Sequence, residues 1–185
     1  MAADSSWTPE PTAAAEQAES AERTEPVTPV TPVEEAQPAQ AAAPQAGGRV
    51  GVVLVSHSRA VAESTAELAK AMVGSGDIAP VFAAGGTDDG RIGTSAERIH
   101  AAALKADEGK GVAILCDMGS AVLTVQALLG EGEGEGEARA MPANTRIVDA
   151  PFVEGAVGVV VTASVGADLD IVLAAGEDAR NYRKR

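Results

Sequence analysis

The chain has 185 residues, with 14 Lys and Arg against 27 Asp and Glu, and only two His, one Cys, one Trp, one Tyr and two Phe. A formal charge of −13 excludes nucleic acid or an anionic membrane as the main partner, because phosphate contacts need clustered cations. One Cys cannot build a disulfide framework and fits a reducing, cytoplasmic setting, and so few His and Cys fall short of the common zinc ligand sets, so no metal is expected.

Residues 1–48 read as a disordered tail: they hold seven of the ten Pro, eight acids and one base, and cannot bury enough apolar surface to offset ordering. The opening MAADSSWTPEP lacks the basic-then-apolar order of a secretory signal, and no run of about 18 apolar residues offers a membrane span. Gly47-Gly48 marks a hinge, residues 49–179 form the expected domain, and residues 180–185 are a basic end.

Val50–Val55 (VGVVLV) is apolar on both faces and predicts a central parallel strand. Ser58 to Met72 carries Val61, Thr65, Leu68 and Met72 at helical spacing, with Gly74 to stop it. Ile78–Ala83 is the second strand; a Gly-rich AAGGTDDGRIG follows, and Thr94-Ser95 with Glu97 opens a helix through Ile99 and Leu104. Gly111–Cys116 is the third strand, Ser120–Leu129 the third helix, and Glu131–Glu137 (EGEGEGE) an acidic solvent loop. Arg146–Asp149 is a short fourth strand, and Val153–Val165 and Asp168–Ala175 are the last helices. This alternation predicts an α/β fold with an open, mainly parallel four-stranded sheet and helices on both faces. In such folds ligands collect at the carboxyl ends of the strands.

Three strand ends carry chemistry. The first supplies His57 beside a helix N-terminus, with Ser58 and Arg59; the third supplies Asp117, Met118, Gly119 and Ser120 at another helix start. The second contributes the loop of Gly86, Thr87 and Asp88. His100 lies inside a helix among Ala residues and reads as a surface or packing residue. No G-x-S-x-G elbow, phosphate-cradling G-x-x-x-x-G-K-[ST] or G-x-G-x-x-G occurs. His57 therefore suits the role of nucleophile, with a carboxylate on its second ring nitrogen and helix N-termini holding phosphoryl oxygens.

VLVSHSRAVAE, AAGGTDDGRIGTS, LCDMGSAV and APFVEGAV, in this order, closely resemble the phosphoryl-donor (DhaM) subunits of bacterial dihydroxyacetone kinases, similar in turn to mannose-type IIA domains of the phosphoenolpyruvate-dependent phosphotransferase system (PTS). The resemblance covers about residues 50–176, with Phe152 where Leu is expected. It implies a phosphohistidine carrier: His57 accepts a phosphoryl group from phospho-HPr and Asp117 orients the imidazole. From their places at the strand ends, Ser58, Arg59, Met118, Gly119 and Ser120 are expected to bind the phosphoryl group, and Gly86, Thr87 and Asp88 to flank the site. The resemblance implies no directly bound cofactor; the acceptor is ADP held by a partner subunit, regenerating the ATP that phosphorylates dihydroxyacetone (glycerone). The implied partners are HPr, the ADP-binding and dihydroxyacetone-binding kinase subunits and, since related IIA domains are commonly dimers, a second copy. HPr-like and enzyme-I-like domains, present on some relatives, are expected on separate chains. The alternatives are a tetrapyrrole metal chelatase, which VSHSR also resembles but which wants a second ligand His in the cleft, and a non-catalytic binding module of the same fold.

Overall fold

The structure is a computed structural model describing residues 47–130 and 140–184. The Pro-rich stretch through residue 46 and the Glu131–Glu137 loop lie outside the described residues. Four parallel strands, β1 (Gly51–Ser56), β2 (Val81–Gly85), β3 (Val112–Cys116) and β4 (Thr145–Val148), form one sheet in the order β2-β1-β3-β4. Between and after them come α1 (Arg59–Val73), α2 (Ala96–Ala106), α3 (Gly119–Leu129), α4 (Phe152–Ser164) and α5 (Leu169–Glu177).

The sheet separates two apolar layers, as the alternation of β1 requires: Val52 and Leu54 face one side, Val53 and Val55 the other. Val52 and Leu54 meet α1, α4 and α5 through Ala66, Ala69, Val159, Val160 and Val172. Val53 and Val55 meet α2 and α3 through Ile99, Ala103, Ala121 and Val125. Helices thus cover both faces, and all six residues of β1 are buried.

Two expectations fail locally. β2 begins at Val81, not Ile78, because Pro80 has no N–H to continue a ladder. The apolar spacing in α1 does not mark its buried face: Val61, Leu68 and Met72 are exposed, and Ala62, Thr65, Ala66 and Ala69 turn inward. Close approach decides this. A Cβ on Gly85 would lie 2.6 Å from the Arg59 Cα and the Ser58 carbonyl oxygen, so α1 sits too near β2 for large side chains at the contact. The Val157–Val161 stretch is helical, with Val159 and Val160 fully buried in the core.

Candidate phosphoryl-transfer site

β1 and β3 are neighbours with Val55 opposite Cys116, so the next residues leave the sheet side by side. The Asp117 N–H donates to the Val55 carbonyl at 3.0 Å, which holds the start of the turn. The Asp117 carboxylate then grips His57 at two points: Oδ2 accepts the His57 main-chain N–H at 2.9 Å, and Oδ1 lies 2.9 Å from the ring Nδ1. Both side chains are only 16% exposed. Burial alone would raise the Asp117 pKa. The N–H and ring of His57, then the Ser56 hydroxyl, outweigh it and hold the carboxyl below its usual range. An ionised carboxylate has no proton to give, so Nδ1 is the donor of this pair and the ring lone pair falls on Nε2.

Nε2 faces the Ser120 Oγ at 2.8 Å. Ser120 is the second residue of α3, whose first turn has no side-chain cap. The N–H groups of Gly119 and Ser120 have no intrahelical acceptor there, and the helix dipole adds positive potential beside Nε2. Burial, then the Asp117 charge, push the neighbouring Cys116 thiol up to about 12, so it stays protonated at neutral pH.

The other predicted residues divide by geometry. The Ser58 hydroxyl caps α1, accepting the Val61 N–H at 3.4 Å. Arg59, the first residue of α1, is exposed beside Gly86. Gly86, at φ +70°, donates its N–H to the Ser56 carbonyl at 3.1 Å, and the Thr87 hydroxyl bonds Asp89. The Asp88 carboxylate turns toward α2, accepting from the Ser95 Oγ and from Arg98 at 3.2 Å each. Met118 is half exposed at the rim. His100 sits on α2 with its Nε2 3.2 Å from the Ala140 carbonyl oxygen, outside the site.

Sequence reasoning missed Ser56. It is 0% exposed, and its Oγ donates to Asp117 Oδ2 at 2.8 Å. The signal was present, a hydroxyl closing an otherwise apolar strand one residue before the His, but a lone Ser at a strand end also reads as a turn residue.

The family model for the PTS system fructose IIA component matches residues 51–173, a span that includes both His57 and Asp117. The chain belongs to this family. Among relatives of the IIA-family chain, the phosphoryl donor subunit DhaM of PEP-dependent dihydroxyacetone kinase 2 from Listeria innocua is 35% identical over 124 residues, 67% of this chain and 94% of that protein. The DhaM subunit of Escherichia coli K12 is 36% identical over 126 residues, 67% of this chain but 25% of that protein. The IIA-family chain thus spans nearly all of the first and about a quarter of the second. The crystal structure of a protein of unknown function superposes with a TM-score of 0.56 at 30% identity, covering 74% of this chain and 97% of that one.

Proposed function

We propose that this IIA-family chain is a phosphohistidine carrier of a dihydroxyacetone kinase system: His57 accepts a phosphoryl group from phospho-HPr and delivers it to ADP held on a partner kinase subunit. The observation that carries the reading is the pairing of the His57 Nδ1 with the Asp117 Oδ1 at 2.9 Å, which puts the ring lone pair on Nε2, where it can attack once the Ser120 hydroxyl turns away.

The Nε2 lone pair forms a bond to phosphorus as the nitrogen–phosphorus bond of phospho-HPr breaks, its electron pair returning to the donor histidine. Asp117 steadies the positive ring that forms. The Ser120 hydroxyl swings from Nε2 to a phosphoryl oxygen, and the first-turn N–H groups of α3 take the others, which is most of what phosphoryl transfer asks of a protein. In the second step a terminal phosphate oxygen of ADP attacks, the Nε2–phosphorus bond breaks and ATP forms on the partner. Both partners approach the same atom, so they dock in turn. The exposed apolar side chains of Met118, Ile92 and Leu123, all within a few residues of the site, supply surface for such docking.

Incubation with phosphoenolpyruvate, enzyme I and HPr tests the reading. The chain should gain acid-labile, base-stable phosphate, His57→Ala none, and His100→Ala the normal amount. Adding ADP-loaded kinase subunits with dihydroxyacetone should drain the label into dihydroxyacetone phosphate. Normal labelling of His57→Ala would overturn the assignment, and a wild-type chain that takes no phosphate would favour the chelatase or binding-module readings.

A further inference from the structure

We propose that Ser56 is a positioning residue of this site, acting through Asp117: its buried hydroxyl fixes the rotation of the carboxylate so that Oδ1 meets the His57 Nδ1. The inference rests on His57 being the phosphoryl carrier and concerns a residue outside the reacting groups. The Ser56 Oγ has two neighbours, the Asp117 Oδ2 at 2.8 Å and the Ser58 N–H at 3.1 Å. The Ser58 N–H can only donate, so it takes a lone pair of Oγ. The single hydroxyl proton therefore points at Asp117. Together with the His57 N–H at 2.9 Å, it gives Oδ2 two donors, while Oδ1 is left for the ring. A carboxylate turns freely about its last torsion unless its oxygens are distinguished, and Ser56 is what distinguishes them from the strand side.

The competing role is purely structural: Ser56 would serve only as acceptor for the Ser58 N–H at the start of α1. The two roles separate in a double-mutant cycle. Ser56→Ala should slow phosphoryl acceptance from phospho-HPr by about tenfold, the scale of one hydrogen bond to a charged group. In an Asp117→Ala background the same change should cost less than about twofold, since the group it positions is gone. Ser56→Cys, close in size but a weak donor, should behave like Ser56→Ala. Independently of any transfer, ¹⁵N chemical shifts of the His57 ring should show a smaller Nδ1–H population in Ser56→Ala. Equal slowing in both backgrounds, unimpaired transfer by Ser56→Ala, or full rescue by Ser56→Cys would overturn the proposal. The ring shifts report on Ser56 even if His57 carries no phosphate, so failure of the carrier reading and failure of this inference are distinct results.

Discussion

Gly93 donates its main-chain N–H to the carbonyl of His57 at 2.9 Å. The loop between β2 and α2 is thereby fastened to the backbone of the residue whose ring faces Asp117. Gly93 has φ +149°, where L side chains are strained, and a Cβ there would lie 2.7 Å from the Thr87 Cγ2. Thr87 cannot easily yield, because its Oγ1 accepts the Arg91 N–H at 3.1 Å and donates to Asp89. Gly93→Ala should therefore cost about 1–3 kcal/mol in urea unfolding. It should also slow phosphorylation of His57 several-fold by releasing its carbonyl. Normal stability and rate would show the loop to be independent of the site.

Asp117→Asn should be far more harmful than its isosteric shape suggests. The position of Oδ2 is met by two donors, the Ser56 hydroxyl and the His57 N–H, so the single acceptor oxygen of an Asn settles there. Its NH2 group then faces Nδ1 and makes that nitrogen an acceptor. The ring proton moves to Nε2, and that nitrogen loses its lone pair. Phosphoryl acceptance should fall by about 10²–10⁴-fold, the range for losing an orienting carboxylate. Rapid-quench labelling gives the rate and ¹⁵N shifts of the His57 ring give the tautomer. A fast variant with unchanged tautomer would reduce Asp117 to a turn residue.

The same carboxylate makes stability depend on pH with a definite sign. The His57 N–H and ring and the Ser56 hydroxyl outweigh the effect of burial, so Asp117 titrates lower when folded than when unfolded. Its contribution is fully present above the ordinary carboxylate range, about pH 4, and is lost as pH falls through the depressed folded value. Thermal midpoints of wild type and Asp117→Asn should thus differ at neutral pH and converge on acidification below about pH 4. Taking the difference removes carboxylates common to both proteins. A gap constant down to pH 3 would mean that Asp117 gains nothing from these donors.

The sheet was readable because β1 and β3 are nearly unbroken β-branched and aliphatic runs, which only a doubly covered parallel strand tolerates. The meeting of Asp117 and Ser120 with His57 was readable because they follow neighbouring strands, β3 and β1, at one end of the sheet. The buried face of α1 was not, because hydrophobic periodicity weights Val61, Leu68 and Met72 above Ala62, Ala66 and Ala69, whereas the close contact with Gly85 selects for size. The Asp88 carboxylate meets Ser95 and Arg98 at the start of α2, a pairing its place in the loop does not announce. Which of two nearby polar groups a loop acid will meet depends on loop geometry, which sequence spacing does not encode. Ser56 is the same problem in reverse, a side chain whose partner lies 61 positions away.

The glycines of α4 extend the rule of close approach to a test of sign. In an exposed helix, Gly→Ala stabilises by about 1 kcal/mol through backbone entropy and propensity. Gly158 is mid-helix, yet a Cβ there would lie 2.8 Å from the carbonyl oxygen of Ala175 on α5. That atom is backbone and cannot rotate aside, so α5 would have to move from α4, loosening its packing around Val172 and Leu173. The clash should exceed the propensity gain, and Gly158→Ala should destabilise by about 1–3 kcal/mol, the usual cost of overpacking. Because α4 and α5 lie on the sheet face remote from α3, phosphorylation of the folded variant should stay within a few-fold of wild type. Chemical denaturation with tryptophan-independent detection, such as far-UV circular dichroism, measures the first quantity and labelling from phospho-HPr the second. A stabilised Gly158→Ala would show that α5 shifts freely against α4 and that the contact is looser than 2.8 Å implies.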